Sequence, residues 1–475
     1  MKISKRITSI GSLLGISCGL SYGLWIACLA VSSNLQALGT VPPKQTRPKL
    51  LKTPTTYCNP LNLDYGFEIK RPYSDFESHR STADPACILY KNKYYLFSTN
   101  QYGYWWSNNL ANWHFVSHSF APNSSNDQVC APAAWPTKNG VLFLPCYTEK
   151  DDLPLYISKN PKNGKWKEAS KNFGLHAWDP SLFEDDDGKL YIYWNSSNVF
   201  PLYGVELDAK KNYTPVGKRV DLMKLDPKNH GWEQFGENNQ NGQMEPFVEG
   251  AWMNKINGRY YLQYGAPGSE FNTYGDGVYT SDKPLGPFKY QAHNPFAWKP
   301  TGFIPGCGHG STFEDRYGNL WHTSTMVIAV KYKFERRLGL FRTGVDRDGV
   351  LYTDTTFGDY PQKIAQVKNE PGQDFSGWML LSYKKKTWAS SAKTEPSLAV
   401  DENIKTYWCA SDAKPGQFFA IDLGKVANVN AIQINYAVDG SKFYGKPLGL
   451  RHRYKLYDSI DGVNWTLLVD KSKNE

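Results

Sequence analysis

The sequence predicts an all-β chain, and three observations carry that prediction. Aromatic residues make up 15% of the 475 positions, with 16 Trp and 31 Tyr, while 40 Gly and 29 Pro supply turns. Short apolar runs are separated by Asn-Gly and Asp-Gly pairs, which favour tight antiparallel hairpins. One such hairpin recurs five times, with starts 47 to 70 residues apart. Repeated β hairpins at that spacing are the mark of propeller blades, so a five-bladed β-propeller is expected over residues 57–367.

Ahead of the repeats, Lys2, Lys5 and Arg6 precede an apolar run from Ile7 to Val31. A basic start followed by an apolar stretch and small residues reads as an export signal over 1–37, cleaved after Ala37. The run exceeds the usual apolar core of a signal, so an uncleaved membrane anchor is the alternative. Gly15-Ile16-Ser17-Cys18-Gly19 matches the nucleophile-elbow pattern but lies inside this run, without strand–turn–helix context. Residues 38–56, with Pro42, Pro43, Pro48 and Pro54, read as a linker. Six of the eight Cys lie beyond this segment without any CxxC pairing, which argues against a zinc site. Export permits disulfides, but the spacing names no pair.

The five repeats start at Asp84, Ala131, Asp179, Glu249 and His309, and each reaches its turn eight residues later. Equivalent positions in a propeller face the central axis at similar depth. Asp84, Asp179, Glu249 and His309 are therefore expected to meet at one end of the channel. Crowded buried carboxylates repel, and one is driven towards its protonated form. Glycoside cleavage needs such a divided pair, one acid to protonate the leaving oxygen and one base to activate water. A single Asp-Pro also starts turns; three acids in register with a His call for more than turn capping.

These residues also carry a family resemblance. Ala83-Asp84-Pro85, Trp178-Asp179-Pro180-Ser181-Leu182-Phe183, Val248-Glu249-Gly250-Ala251-Trp252 and Gly308-His309-Gly310-Ser311-Thr312-Phe313 resemble glycoside hydrolase family 43. The resemblance runs from about Asn59 to Pro361. It implies a five-bladed propeller that hydrolyses plant-type glycans with inversion. By resemblance Asp84 is the general base, Asp179 the carboxylate that tunes and orients, and Glu249 the general acid. His309 resembles the central His that in many relatives contacts a metal ion or its waters. Hydrolysis would need no cofactor, with Ca2+ near the channel axis as the ion to consider.

Around these positions, Trp105, Trp106 and Trp178 lie near blade entrances and offer faces for sugars. Phe271 and Tyr274 sit in a Gly-rich loop after the fourth repeat, where specificity contacts are expected. In Arg336-Arg337-Leu338, Arg337 is the better match to an Arg that reaches the sugar in relatives. Glu245 competes with Glu249 for the acid role, and the eight-residue spacing favours Glu249. The acidic run Glu184 to Asp187 lacks the alternating spacing of a calcium loop and reads as a hairpin turn.

A polar linker at 368–377 precedes a second unit at 378–475. Phe418 to Leu423 and Val429 to Ile434 alternate as strands do. Trp388-Ala389-Ser390-Ser391, Thr406-Tyr407-Trp408 and Ser459-Ile460-Asp461-Gly462-Val463-Asn464-Trp465 resemble a discoidin-like, coagulation-factor C-type module. The resemblance implies a β-sandwich of the discoidin or jelly-roll type, here partial, because the sequence stops before the closing strands.

The resemblance leaves β-xylosidase and α-L-arabinofuranosidase activities unseparated, with a galactan-directed glycosidase as a lesser option. A non-catalytic glycan-binding lectin is the reading from another class, and the complete acid set argues against it. The expected partner is a plant-type oligo- or polysaccharide. The chain has Lys+Arg 54 against Asp+Glu 45, a net +9 spread without a basic block, so nucleic acid is not expected. Gly306-Cys307-Gly308-His309-Gly310 is neither a Walker loop nor a dinucleotide fingerprint. A membrane contact is expected only through the N-terminal run, and oligomeric state is not readable.

Overall fold

The computed structural model describes residues 55–68, 78–120, 129–146, 154–171, 173–364, 366–369, 378–446 and 448–474, with backbone alone for Ile10–Gly11 and Leu24–Ala27. The rest of the expected export signal, and the 38–56 linker up to residue 54, lie outside the described residues. Ile10–Gly11 runs parallel to Ile432–Gln433, and Leu24–Ala27 runs parallel to the strand Tyr454–Asp458.

Each of the five repeats forms a four-stranded antiparallel sheet with its strands in chain order. The innermost strands are Ala86–Tyr90, Cys130–Thr137, Ser181–Glu184, Glu249–Ile256 and Gly308–Glu314. Each touches the next, and the fifth touches the first, which closes the ring. The turns have the predicted chemistry. Lys91 and Asn92 both have positive φ, as do Asn257 and Gly258, the conformation of a two-residue hairpin loop. The acidic run turns around Gly188, and Asp185 accepts from Lys255 Nζ at 2.7 Å and Tyr260 OH at 2.5 Å. That turn thus pins the third blade to the fourth.

Alternation along the strands fills the spaces between blades. In the first blade, Cys87, Leu96 and Trp105 face the fifth, packing on Phe313, Trp321 and Leu338. Ile88, Tyr95 and Phe97 face the second, packing on Ala134 and Phe143. Three further apolar clusters fill the remaining gaps.

The ring is sealed by the chain before the first blade. Thr56–Tyr57 pairs with Gln362–Lys363. Asn59 clamps the fifth blade, with Nδ2 donating to Leu340 O at 3.1 Å and Oδ1 accepting from Leu340 N at 2.9 Å. The C-terminal unit has its own core of Trp408, Phe419, Ile421, Leu423 and Leu456. It meets the seal where Gln433 Nε2 donates to Asn59 O at 3.0 Å.

Candidate active site

Five residues of positive φ stand at the entrances to the inner strands. They are Asp84 (56°), Ala131 (37°), Asp179 (45°), Gly250 (63°) and His309 (42°). Left-handed backbone in non-glycine residues is costly and persists where its surroundings enforce it. The fourth blade corrects the expected register by one residue. Glu249 pairs with Gly265 as Cys130 pairs with Cys146 and Gly308 with Thr325, each ahead of a ladder irregularity. Glu249 therefore precedes the repeated position, which Gly250 occupies. A Cβ on Gly250 would lie 2.7 Å from His309 Cγ, so the glycine makes room for the imidazole.

The one-residue offset still brings Glu249 to the common centre. One donor atom each from Asp179, Glu249 and His309 lies within 4.8 Å of the others. His309 Nδ1 is 3.3 Å from Asp84 Oδ1 and 3.7 Å from Asp179 Oδ2. Arg336 NH1 approaches Asp84 Oδ1 at 3.7 Å. Thr99 Oγ1 donates to Asp84 Oδ2 at 2.6 Å, and Thr325 Oγ1 accepts from Asp84 N at 2.8 Å. Tyr274 OH donates to Glu249 Oε1, and Ser196 Oγ donates to Oε2 at 3.2 Å.

These surroundings push the three acids apart. Burial opposes ionisation of Asp84, but His309, Arg336 and the threonine hydrogen bonds outweigh it and hold its carboxyl below the ordinary value. Burial pushes Asp179 well above the ordinary value, and the neighbouring Glu249 and Asp84 charges add to the effect. Glu249 is also raised, by burial first and by Asp84. His309 loses charge stability through burial yet ends above its ordinary value, because Asp84, Asp179 and Glu249 surround it. The centre thus holds an ionised Asp84 beside an Asp179–Glu249 pair that retains a proton.

Residues 78–351 match the family model of Glycosyl hydrolases family 43, and residues 384–475 match the F5/8 type C domain. The chain belongs to glycosyl hydrolases family 43. A Beta-xylosidase of Xylanibacter ruminicola is 30% identical over 180 residues, which is 32% of this chain and 53% of that one. A Xylosidase/arabinosidase of Bacteroides ovatus is 27% identical over 174 residues, 32% of this chain and 51% of that one. The chain spans about half the length of these curated relatives. Among solved structures, a thermostable family-43 glycoside hydrolase superposes with a TM-score of 0.51 at 22% identity, covering 66% of this chain and 98% of that one. That likeness confirms the propeller fold.

Within this family-43 propeller, the peripheral expectations need correction. Trp105 is 1% exposed and packs edge-on against Tyr65 and Phe115, so it belongs to the interblade core. Trp106 stacks on His114 towards the outside of the first blade, with Lys162 Nζ 4.5 Å from its ring. Arg337 faces away from the acids. Its Nε donates to Arg80 O at 2.7 Å and its guanidinium lies 5.2 Å from the Tyr65 ring. Successive strand residues alternate sides, so Arg336 takes the place at the centre. Trp178 is 43% exposed beside Asp179. Phe271 packs edge-on against Phe235, and its carbonyl accepts from Tyr274 N at 3.2 Å. Glu245 is exposed and does not compete with Glu249. Tyr274 is fully buried against Glu249, a closer role than a loop aromatic suggests. Thr99, Thr325 and Ser196 carry no sequence signal, because small hydroxyl residues are common in strands and in the turns that follow them.

Asp179, Glu249 and His309 also form a group of candidate metal ligands. These are the residues that would hold an ion at the channel axis, where its positive charge would act on the neighbouring carboxylates.

Proposed function

We propose that the protein is an exported, inverting glycoside hydrolase that releases pentose units, xylose or arabinose, from plant polysaccharides or their oligosaccharides. The observation that supports this most is the opposed shift of two carboxyls in one centre, Asp84 held below the ordinary carboxyl range and Glu249, coupled to Asp179, raised above it. Asp84 takes a proton from water as the water oxygen attacks the anomeric carbon. The glycosidic C–O bond breaks, and Glu249 gives its proton to the departing oxygen. Asp179 keeps the proton on the pair by like-charge proximity. Arg336 and His309 hold Asp84 ionised until the water is spent. No step passes through a metal ion. The pentose class is supported by the names of the two relatives, and the exposed Trp178 offers a ring beside Asp179 on which a sugar can stack. Export is supported by the basic start and apolar run; mature protein beginning at Leu38 would place the cleavage.

The test is turnover of aryl β-xylosides and aryl α-arabinofuranosides by wild type and Glu249→Gln. Wild type is expected to hydrolyse at least one class, with rates unchanged in excess chelator. Glu249→Gln is expected to lose about 10²–10⁴-fold in kcat. Undiminished turnover in that variant removes Glu249 as the acid. The first-formed sugar, observed by NMR, is expected to have the anomeric configuration opposite to the substrate. A retained product rules out Asp84 as activator of water.

A further inference from the structure

Behind His309, between the fourth and fifth blades, runs a line of polar side chains with no part in the proton transfers above. Asn254 Nδ2 donates to Thr312 O at 3.0 Å. Asn254 Oδ1 then accepts from Gln263 Nε2 at 2.6 Å, and Gln263 Oε1 accepts from Thr312 Oγ1 at 2.8 Å. With its own hydrogen committed to Gln263, Thr312 Oγ1 faces His322 Nδ1 at 3.0 Å as an acceptor. The directions run one way along the line, so the Nδ1 hydrogen of His322 is fixed. The other ring nitrogen, Nε2, faces Asp276 Oδ2 at 3.0 Å. His322 is 0% and Asp276 1% exposed.

This pair reaches the centre through one backbone group. Gly310 N, next to His309, donates to the same Asp276 oxygen at 2.8 Å. Any Cβ at Gly310 would collide with His322 Nε2 and the Thr323 carbonyl, so the glycine allows the close approach. His309 itself sits at φ 42° with its Nδ1 between Asp84 and Asp179. A left-handed non-glycine residue persists where its surroundings over-determine it, and the Gly310–Asp276 hydrogen bond is one such restraint on His309. A sheet interior needs no buried ionic pair for stability, because apolar side chains of equal volume serve as well.

We infer that Asp276, set against His322, is a positioning residue for the catalytic centre. It grips the Gly310 amide and keeps the His309 imidazole between Asp84 and Asp179. The inference rests on the hydrolytic reading of that centre, and one of its two readouts is independent of turnover. Asp276→Asn can still present one oxygen to Gly310 and His322, but it removes the carboxylate charge and puts an amide donor in place of the second oxygen. It is expected to lower kcat about 10–100-fold, the scale of outer-shell partners, with KM changed less than about threefold. In a His309→Ala background the same substitution is expected to cost less than about threefold, because residues acting through one another are non-additive. An equal factor in both backgrounds, or no loss in wild type, overturns the inference. Independently, the imidazole nitrogen resonances of His309, assigned by their loss in His309→Ala, are expected to move in Asp276→Asn; coincident resonances also overturn it. Should Asp276→Asn fail to fold, His322→Gln replaces it in both measurements, with the same pattern expected and the same outcomes decisive. Wild type that hydrolyses no glycoside, while the His309 resonances still move, counts against the hydrolase reading alone.

Discussion

Asp84 and Glu249 are both carboxyls in a buried centre, yet their neighbours send their protons opposite ways. Asp84 meets Arg336, His309 and Thr99, whereas Glu249 faces other acids. The signs fix a bell-shaped rate profile. Asp84 is lowered, so its base form is lost only as pH falls below the ordinary aspartate range near 3.9. The Asp179–Glu249 pair is raised, so its proton is lost as pH climbs above the ordinary carboxyl range. Asp179→Asn removes a negative neighbour, lets Glu249 ionise earlier, and is expected to move the alkaline limb of kcat/KM to lower pH. An unmoved limb removes the tuning role of Asp179. At this scale the acids were legible, because charged residues at or next to a repeated inner position have no packing reason to be there. The arginine was not. Arg336 and Arg337 are neighbours on one strand, and only the ladder Val327↔Arg336, Met326↔Arg337 shows which side each takes. Trp105 failed for a related reason: an aromatic that stacks on sugars and one that fills an interblade gap share one composition.

The inner-strand entrance is the element that builds the centre. Four of the five blades place a non-glycine residue there at positive φ, and the fourth uses Gly250. The hairpins themselves were readable, since Asn-Gly and alternation suffice to name them. The entrance irregularity was not, because an eight-residue count to the turn absorbs a shift between loops of different length. That shift lets Glu249 reach the centre from one residue upstream while the His309 ring lies across Gly250. Gly250→Ala combines left-handed strain with a Cβ contact at 2.7 Å to His309. It is expected to cost roughly 1–3 kcal/mol of stability and to cut kcat by displacing the imidazole. Gly188→Ala, at φ 82° with nothing within 4 Å of its new Cβ, is the control, expected to leave kcat unchanged. Equal rates in the two variants would show that the His309 position does not depend on Gly250.

At the scale of the whole molecule, five interblade cores make the ring and Asn59 helps to seal it. Asn59 is 1% exposed and satisfies both backbone groups of Leu340. Asn59→Ala leaves them unpaired in the interior and is expected to lower unfolding free energy on the order of 1–3 kcal/mol. Denaturant melts with the midpoint reduced and kcat of the folded enzyme intact would bear this out; an unchanged midpoint would place the seal elsewhere. The ring was legible from the repeats alone. Its seal was not, since Asn59 and Leu340 are remote in the chain and show no shared pattern.

The manner of closure also sets when the protein can begin to work. Asp84 belongs to the first blade, but its amide rests on Thr325, and Cys87 N rests on Ser311 Oγ at 2.9 Å, both in the last blade. A ribosome therefore presents Asp84 early and its support late. Nascent chains holding only the first four blades have all three acids in hand but lack His309 and Arg336, so the centre is assembled only at the end of synthesis of the ring.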